Sequence, residues 1–364
     1  MTSMPGSDFR NSPIHNAYSL TKVLGEGTNG TVFLARQIRT SRQVAIKCSK
    51  HGSPSQTLDM MEIYFHSGLS HTGSNFIVRL LDAWASPFFN VLVLEEMDAD
   101  GWGVIRAHRD RKLDVDTALH VLFLAARGVA VVHGAGLMHR DLHARNVLLK
   151  HTWDSALSQQ LLPLHLVNVK LSDFGNAANI GSNALTTVAK GAARCGARDV
   201  MPPEILYRRG VEWEIVTDIV IGSASSNVNS VCPGTRWRSI HAPSHATYNQ
   251  KVDIWALGSL LLCMLRGGIY HTHDLGAIAD QMSGPGGMCG RVPHEMKNKY
   301  RWSVPPPLLA NFGAPPFIDF KATCKLHDDR AAGVMQKVWA YDPETRPQAR
   351  DLADALASML ERSD

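Results

Sequence analysis

In His139-Arg140-Asp141-Leu142-His143-Ala144-Arg145-Asn146, an Asp and an Asn stand five residues apart on one short polar stretch. The stretch follows an apolar helical run and precedes Val147-Leu148-Leu149, which reads as a strand. A carboxylate placed this way can orient a hydroxyl nucleophile and take its proton, and the amide oxygen can hold a metal ion. The pair therefore suits phosphoryl transfer. Alone it is a short match. The rest of the chain must supply a phosphate cradle, a lysine, a second metal carboxylate and a core, in the right order.

The cradle comes first. Residues 18–24 alternate like a strand and run into Gly25-Glu26-Gly27-Thr28-Asn29-Gly30, then into the strand-like Thr31-Val32-Phe33. Without Cβ atoms, such a turn lets backbone N–H groups approach a polyphosphate. β-branched residues continue after Gly30, so this is not the strand-to-helix turn of a dinucleotide fold. The short strand Val44-Ala45-Ile46-Lys47 supplies the lysine. A carboxylate must hold that lysine, and the helical stretch 57–69 offers Glu62, with Asp59 one turn away as competitor. Leu58, Met61, Phe65 and Leu69 are expected to line one face of this helix. Residues 75–82 and 91–97 read as further strands, and the second ends in Glu95, Glu96 and Met97. Such a connector can hydrogen-bond a heterocycle.

After Asp98 the pattern turns helical, and 117–135 reads as a buried core helix. Asp173-Phe174-Gly175 ends the strand begun by Val169 and can present a carboxylate to a metal on a turn. Residues 1–16 read as a flexible tail, 151–167 and 207–247 as insertions, and 176–200 as a mobile loop. Val252-Asp253-Ile254-Trp255 opens another apolar helix, and a last helix reaches about residue 360.

At 364 residues, with 45% apolar and 19% charged residues, the chain can bury a real core or two. A net charge of +4 with scattered Lys and Arg gives no sign of nucleic-acid binding. Six widely spaced cysteines, with no C-x-x-C, suit free thiols in a reducing compartment. The most continuous apolar run, 254–265, is too short to span a bilayer, and the first residues lack a signal pattern. The expectation is an intracellular protein, cytoplasmic or nuclear, with no membrane partner.

Gly25-x-Gly27-x-x-Gly30-x-Val32, Val44-Ala45-Ile46-Lys47, Glu62, His139-Arg140-Asp141, Asn146, Asp173-Phe174-Gly175, Pro202-Pro203-Glu204, Asp253-Ile254-Trp255-x-x-Gly258 and Arg346 occur in one order. Together they resemble the eukaryotic protein kinase family. The resemblance covers about residues 18–360. It implies an α+β, two-lobed fold: a small, mainly β N-lobe with one helix (17–97) and a larger, mainly α C-lobe (98–362). It implies ATP and Mg²⁺ between the lobes and a protein substrate, and it allows a regulatory protein partner. Gly25, Glu26, Gly27 and Gly30 would cover the phosphates, and Lys47 would meet them while paired with Glu62. Val32, Ala45 and Leu148 would sandwich adenine, with Leu94 as gatekeeper and Glu95 and Met97 on the hinge. Asn146 and Asp173 would hold Mg²⁺, and Asp141 would be the base. Glu204, Arg346 and Asp253 resemble structural anchors.

The chain also departs from the family pattern. Serine/threonine kinases usually carry a lysine two residues after the catalytic Asp, where this chain has His143. Many tyrosine kinases place an arginine four residues after it, as Arg145 stands here. Either side chain could meet the γ-phosphate. Cues such as Gly25-Glu26-Gly27-Thr28 and Val252-Asp253-Ile254-Trp255-Ala256-Leu257-Gly258 resemble the cyclin-dependent and MAP kinase group and favour Ser/Thr; a Tyr or dual-specificity enzyme stays open, as does a pseudokinase acting as a scaffold or allosteric partner. Ala197 replaces the threonine that would touch Asp141. The usual activating-phosphate position falls at Ala192 or Ala193, so activation is either phosphate-independent or uses Thr186 or Thr187. A second register, through Gly234-Thr235-Arg236-Trp237-Arg238, would put an insertion inside the activation segment. His66 stands where the family usually has an apolar residue, and reads as a satisfied, half-buried histidine.

Overall fold

A computed structural model describes residues 13–27, 30–49, 56–85, 90–151, 167–180, 202, 212–217, 235–241, 248–267, 326–340 and 343–362. The fold is α+β and two-lobed. In the smaller lobe, strands β1 (Tyr18–Gly27), β2 (Gly30–Gln37), β3 (Gln43–Ser49), β4 (Leu80–Ala85) and β5 (Asn90–Glu95) form one antiparallel sheet in the order β1-β2-β3-β5-β4. Inward residues Phe33, Val44, Ile46, Val91 and Val93 alternate along β2, β3 and β5 and form its core.

Of the flexible tail expected over 1–16, residues 1–12 lie outside the described residues and 13–16 are helical. Residues Pro13–Ala17 form a one-turn helix, α1, and Ile14 packs into the sheet's core beside Tyr18. Proline at the first helical position needs no N–H there and presets the backbone. The strand expected to start at Asn75 starts at Leu80 instead. Its first residues are used elsewhere: Leu171 N–H donates to Phe76 O, and Val78 N–H to Leu171 O, at 2.9 Å each. That bridge ties the small lobe to the large one.

Helix α2 (Gln56–His71) packs on β4 and β5. Its inward face is Glu62, Phe65, His66 and Leu69, all buried at helical spacing. The one charged residue of that face is therefore aimed into the protein, a placement that needs a cation opposite.

The larger lobe is built around α4 (Val115–Gly134), after β6 (Ala99–Asp100) and α3 (Gly101–Ala107). Asp114 caps α4, accepting from the Thr117 N–H at 2.9 Å. The helix is long and apolar enough to cross a membrane. Here its nine buried residues pack into the lobe's core, and its neighbours are α5 (Lys251–Arg266), β9 (Val167–Leu171) and α7 (Ala349–Leu360). Helix α6 (Asp329–Val338) lies on α5. A Cβ on Gly258 would come within 2.6 Å of Trp339 and Val338, so this glycine sets the approach of the two helices. Trp255 and Trp339 stack beside it at 5.2 Å, and the Arg346 guanidinium lies 5.0 Å over Trp255. Arg346 also donates to Ala340 O and Lys251 O, which makes it an anchor of this lobe.

Two short pairings position the loops between the lobes. β8 (Val147–His151) pairs with β9, and their register sets Val147 opposite Leu171 and His151 opposite Val167. Residues 152–166, the core of the first expected insertion, lie outside the described residues. β7 (Leu137–Met138) pairs with β10 (Ala178–Asn179). The segments 139–146 and 172–177 are thus held side by side between two strand pairings. Within the second expected insertion, β11 (Glu212–Thr217) and β12 (Thr235–His241) form an antiparallel pair.

Candidate active site

Lys47 projects from β3 to meet Glu62 of α2. Its Nζ donates to Glu62 Oε1 at 2.8 Å and Oε2 at 3.0 Å, and to Asp173 Oδ1 at 2.9 Å. Between Glu62 and Asp59, the helix aims Glu62 at the lysine. Burial opposes the ammonium, but Glu62 and Asp173 more than offset it and hold the Lys47 pKa above its ordinary value. Burial likewise pushes the Asp173 carboxyl up, and Lys47 pulls it further down, below its usual range. One lysine thus ties both lobes together.

The 139–146 loop is fixed from beneath by Asp253, which is fully buried. Its oxygens accept the N–H groups of His139 and Arg140 at 2.8 Å each, and His133 Nε2 lies 2.9 Å away. Burial works against that carboxylate, yet these partners, His133 foremost, keep its pKa below the usual range. Arg140 and Asp173 have φ of 64° and 63°, a left-handed conformation uncommon outside glycine. Strain of this kind, about 1–3 kcal/mol per residue, persists where surrounding bonds over-determine the backbone.

Asp141 and Asn146 come together within this loop. Asn146 Nδ2 donates to Asp141 O at 2.8 Å, which turns its Oδ1 away from that bond. Ser172 N–H donates to Asn146 O at 3.0 Å, so Asp173 directly follows the residue bonded to Asn146. An amide oxygen and a carboxylate are hard donors that suit Mg²⁺, which takes few protein ligands beside phosphate and water. Among the described residues, no group of three His, Cys, Asp or Glu is placed to hold a metal.

His143 Nδ1 accepts the Arg145 N–H at 3.2 Å. Its Nε2 lies 3.6 Å from Asp141 Oδ1 and 3.4 Å from Asn146 Nδ2. Burial lowers the His143 pKa, with Asp141 pulling it partly back. His143 therefore brings a neutral ring to this position at neutral pH, where a lysine brings a full charge. Arg145 is exposed.

Ala45, Leu94, Met97 and Leu148 share one apolar cluster with Val78 and Leu92. Val32 lies in β2 opposite Lys47, outside that cluster. Gly25 pairs with Val32 and Gly27 with Gly30, so the glycine turn is a hairpin; its tip residues, 28 and 29, lie outside the described set. Glu26 is exposed. The Glu95 carboxylate is engaged by Lys170 Nζ at 2.6 Å and the Arg79 N–H at 2.7 Å, and its own N–H donates to Arg79 O at 3.0 Å. Lys150 Nζ donates to Glu96 Oε2 at 2.6 Å. Two lysines from the β8–β9 hairpin thus pin the connector between the lobes, a role their sequence positions do not signal.

Phe174 is fully buried, with His66 at 4.9 Å and His139 at 5.1 Å on its ring. His66 itself is fully buried, not half-buried, and its Nε2 lies 2.6 Å from Val78 O. No described group reaches its Nδ1. Burial pushes the His66 pKa down to about 4. An unfolded histidine takes its proton near pH 6.5, so as pH falls from there to about 4 the unfolded state binds a proton that the folded state refuses. Stability should fall over that window. Replacing His66 by Leu should remove about 2–3 kcal/mol of the loss between pH 7 and 4.5. Urea unfolding at the two pH values measures this; an unchanged acid loss in the variant contradicts the assignment.

Sequence reasoning missed two residues of the site. Asn176 Nδ2 donates to Asp141 Oδ2 at 3.0 Å. The Arg140 guanidinium donates to Asn176 O at 2.6 Å and Tyr248 Oη at 2.9 Å. Thr186, Thr187, Ala192, Ala193 and Glu204 lie outside the described residues, as does most of the first activation-segment register, of which Pro202 is described and buried; of the second, Thr235, Arg236, Trp237 and Arg238 lie in β12.

Comparison with protein families matches the protein kinase domain over residues 18–220, more than half of the chain. Among individual proteins, the sporulation protein kinase mde3 of Schizosaccharomyces pombe is 23% identical over 350 residues, covering 92% of this chain and 53% of that protein. A probable CTD kinase subunit alpha homolog of Encephalitozoon cuniculi is 24% identical over 332 residues, covering 90% and 80%. The mitogen-activated protein kinase HOG1 of Saccharomyces cerevisiae is 25% identical over 352 residues, covering 94% and 64%. The chain thus spans about half the length of the first relative and most of the second.

Proposed function

The chain belongs to the protein kinase family, and on that premise we propose that it transfers the γ-phosphoryl group of ATP to a Ser or Thr hydroxyl of a protein. The observation that carries this reading is Lys47 bridging Glu62 and Asp173, the charge arrangement a polyphosphate and its metal require. Residues 17–362 act as one catalytic domain. Lys47 meets the phosphates, and Gly25, Gly27 and Gly30 let the backbone approach them. Ala45, Leu94, Met97 and Leu148 hold the adenine. Asn146 and Asp173 would hold Mg²⁺, which neutralises phosphate charge when bound. Asp141 accepts the proton of the substrate hydroxyl as that oxygen takes the phosphoryl group and ADP leaves. His143 and Arg145 supply a hydrogen bond and a charge near the transferred group. Most of the rate comes from positioning and charge stabilisation.

The names of relatives support the Ser/Thr assignment, since MAP kinases lie among them. A relative named as a kinase subunit supports a regulatory protein partner. Arg140 is held by a tyrosine hydroxyl and main-chain carbonyls, which supports activation without a phosphate at the position of Ala192 or Ala193. The free thiols of Cys48 and Cys263 support an intracellular location. His143 and Arg145 favour a second reading, a Tyr or dual-specificity kinase.

Phosphorylation of a peptide array by the purified protein tests both points. Label on Ser and Thr peptides is the expected result. Label confined to Tyr peptides selects the second reading. No label on any peptide, with ATP still bound, points to a pseudokinase.

A further inference from the structure

A general base works best when its carboxylate is held in one orientation, and in the family's pattern a threonine of the activation segment contacts it. The threonine expected to touch it is Ala197, which has no hydroxyl. Asn176, directly after Asp173-Phe174-Gly175, donates from Nδ2 to Asp141 Oδ2 at 3.0 Å. A carboxylate only accepts, so the amide nitrogen is the end that faces it. Asn176 is anchored in turn: its carbonyl accepts Arg140 Nε at 2.6 Å, and the guanidinium continues to Tyr248. Asp141's own carbonyl is tied by Asn146. The base is thus gripped at its main chain by one amide side chain and at its carboxylate by another.

We propose that Asn176 is a positioning residue for the catalytic base, holding its carboxylate through this hydrogen bond. The proposal rests on Asp141 being the base of a phosphoryl transfer. It has a mechanistic consequence. Asn176 is separated from Asp173 only by Phe174 and Gly175, so the base is oriented only while Phe174 sits between His66 and His139. Metal-side and base-side geometry are set by one turn.

The test measures kcat and the KM for ATP in wild type, Asn176→Ala, Asn176→Asp and Asn176→Gln. Alanine removes the donor. Aspartate keeps the shape but offers no donor, and glutamine keeps an amide on a longer stem. A hydrogen bond to a charged group converts to roughly a 10- to 100-fold loss of kcat in the Ala and Asp variants. The KM for ATP should stay within about twofold, because phosphate contacts are untouched. Glutamine should recover part of the loss, and melting temperatures should match wild type. Wild-type kcat in Asn176→Ala, a loss residing in KM, or a Gln variant as poor as Ala overturns the proposal. An inactive wild type overturns the kinase reading itself, and this proposal with it; an active wild type with an equally active Ala variant overturns this proposal alone.

Discussion

Lys47→Met should lower phosphate transfer by about 10²–10³-fold, the scale of removing one preorganised charge-stabilising group. The variant should also be less stable. Glu62 is 5% exposed, and the lysine is its buried counter-ion. Removing one partner of a buried pair typically costs about 3–5 kcal/mol, because the other charge stays desolvated. Asp173 loses the same partner but is more exposed, so it adds less. A double substitution, Lys47→Met with Glu62→Leu, should recover most of the stability and none of the turnover. Urea unfolding and a phosphate-transfer assay separate the two effects. Full stability in Lys47→Met alone would mean that the pair is not buried as described.

Asp253→Ala should be the most destabilising change outside the phosphate site. The residue touches no reacting atom, yet it terminates three donors: the His139 and Arg140 N–H groups and His133 Nε2. Each buried donor left without a partner costs about 1–3 kcal/mol, so a total near 3 kcal/mol or more is expected. Turnover should fall as well, by about 10²-fold, since the strained Arg140 backbone relaxes and moves Asp141. The folded carboxyl titrates below its unfolded value of about 3.9, so its stabilising contribution is complete above that pH. As pH falls through the folded value the contribution disappears. Melting temperature and kcat at neutral pH measure both effects. An Asp253→Ala protein with wild-type melting and turnover contradicts the anchoring role.

The parts of this molecule most legible in the sequence are those where local pattern and chemistry coincide. The glycine turn, the lysine strand and the apolar helix α4 each carry their own periodicity, and the structure places them as that periodicity directs. Glu62 is separable from Asp59 only by helical register, since the two stand one turn apart in the sequence. Contacts that depend on tertiary placement left no such trace. Asn176 sits in a stretch rich in Ala, Gly and Asn that reads as a loop, and its partner Asp141 is 35 residues away. Tyr248 meets Arg140 across 108 residues. The engagement of Glu95 by Lys170, 75 residues on, requires the register of β8 and β9. The short helix α1 escaped notice because its one buried side chain, Ile14, is flanked by polar residues. The β11–β12 pair was hidden by the Ser-, Asn- and Gly-rich segment between its strands.

The central claim is that Lys47, Asp141, Asn146 and Asp173 form a working phosphoryl-transfer site. The most direct measurement is incorporation of label from γ-labelled ATP into a protein substrate, by wild type and by the Lys47→Met and Asp173→Ala variants at equal concentration. Wild type should incorporate label, and both variants should fall to near background. Equal incorporation by all three, or none by folded, ATP-binding wild type, would contradict it.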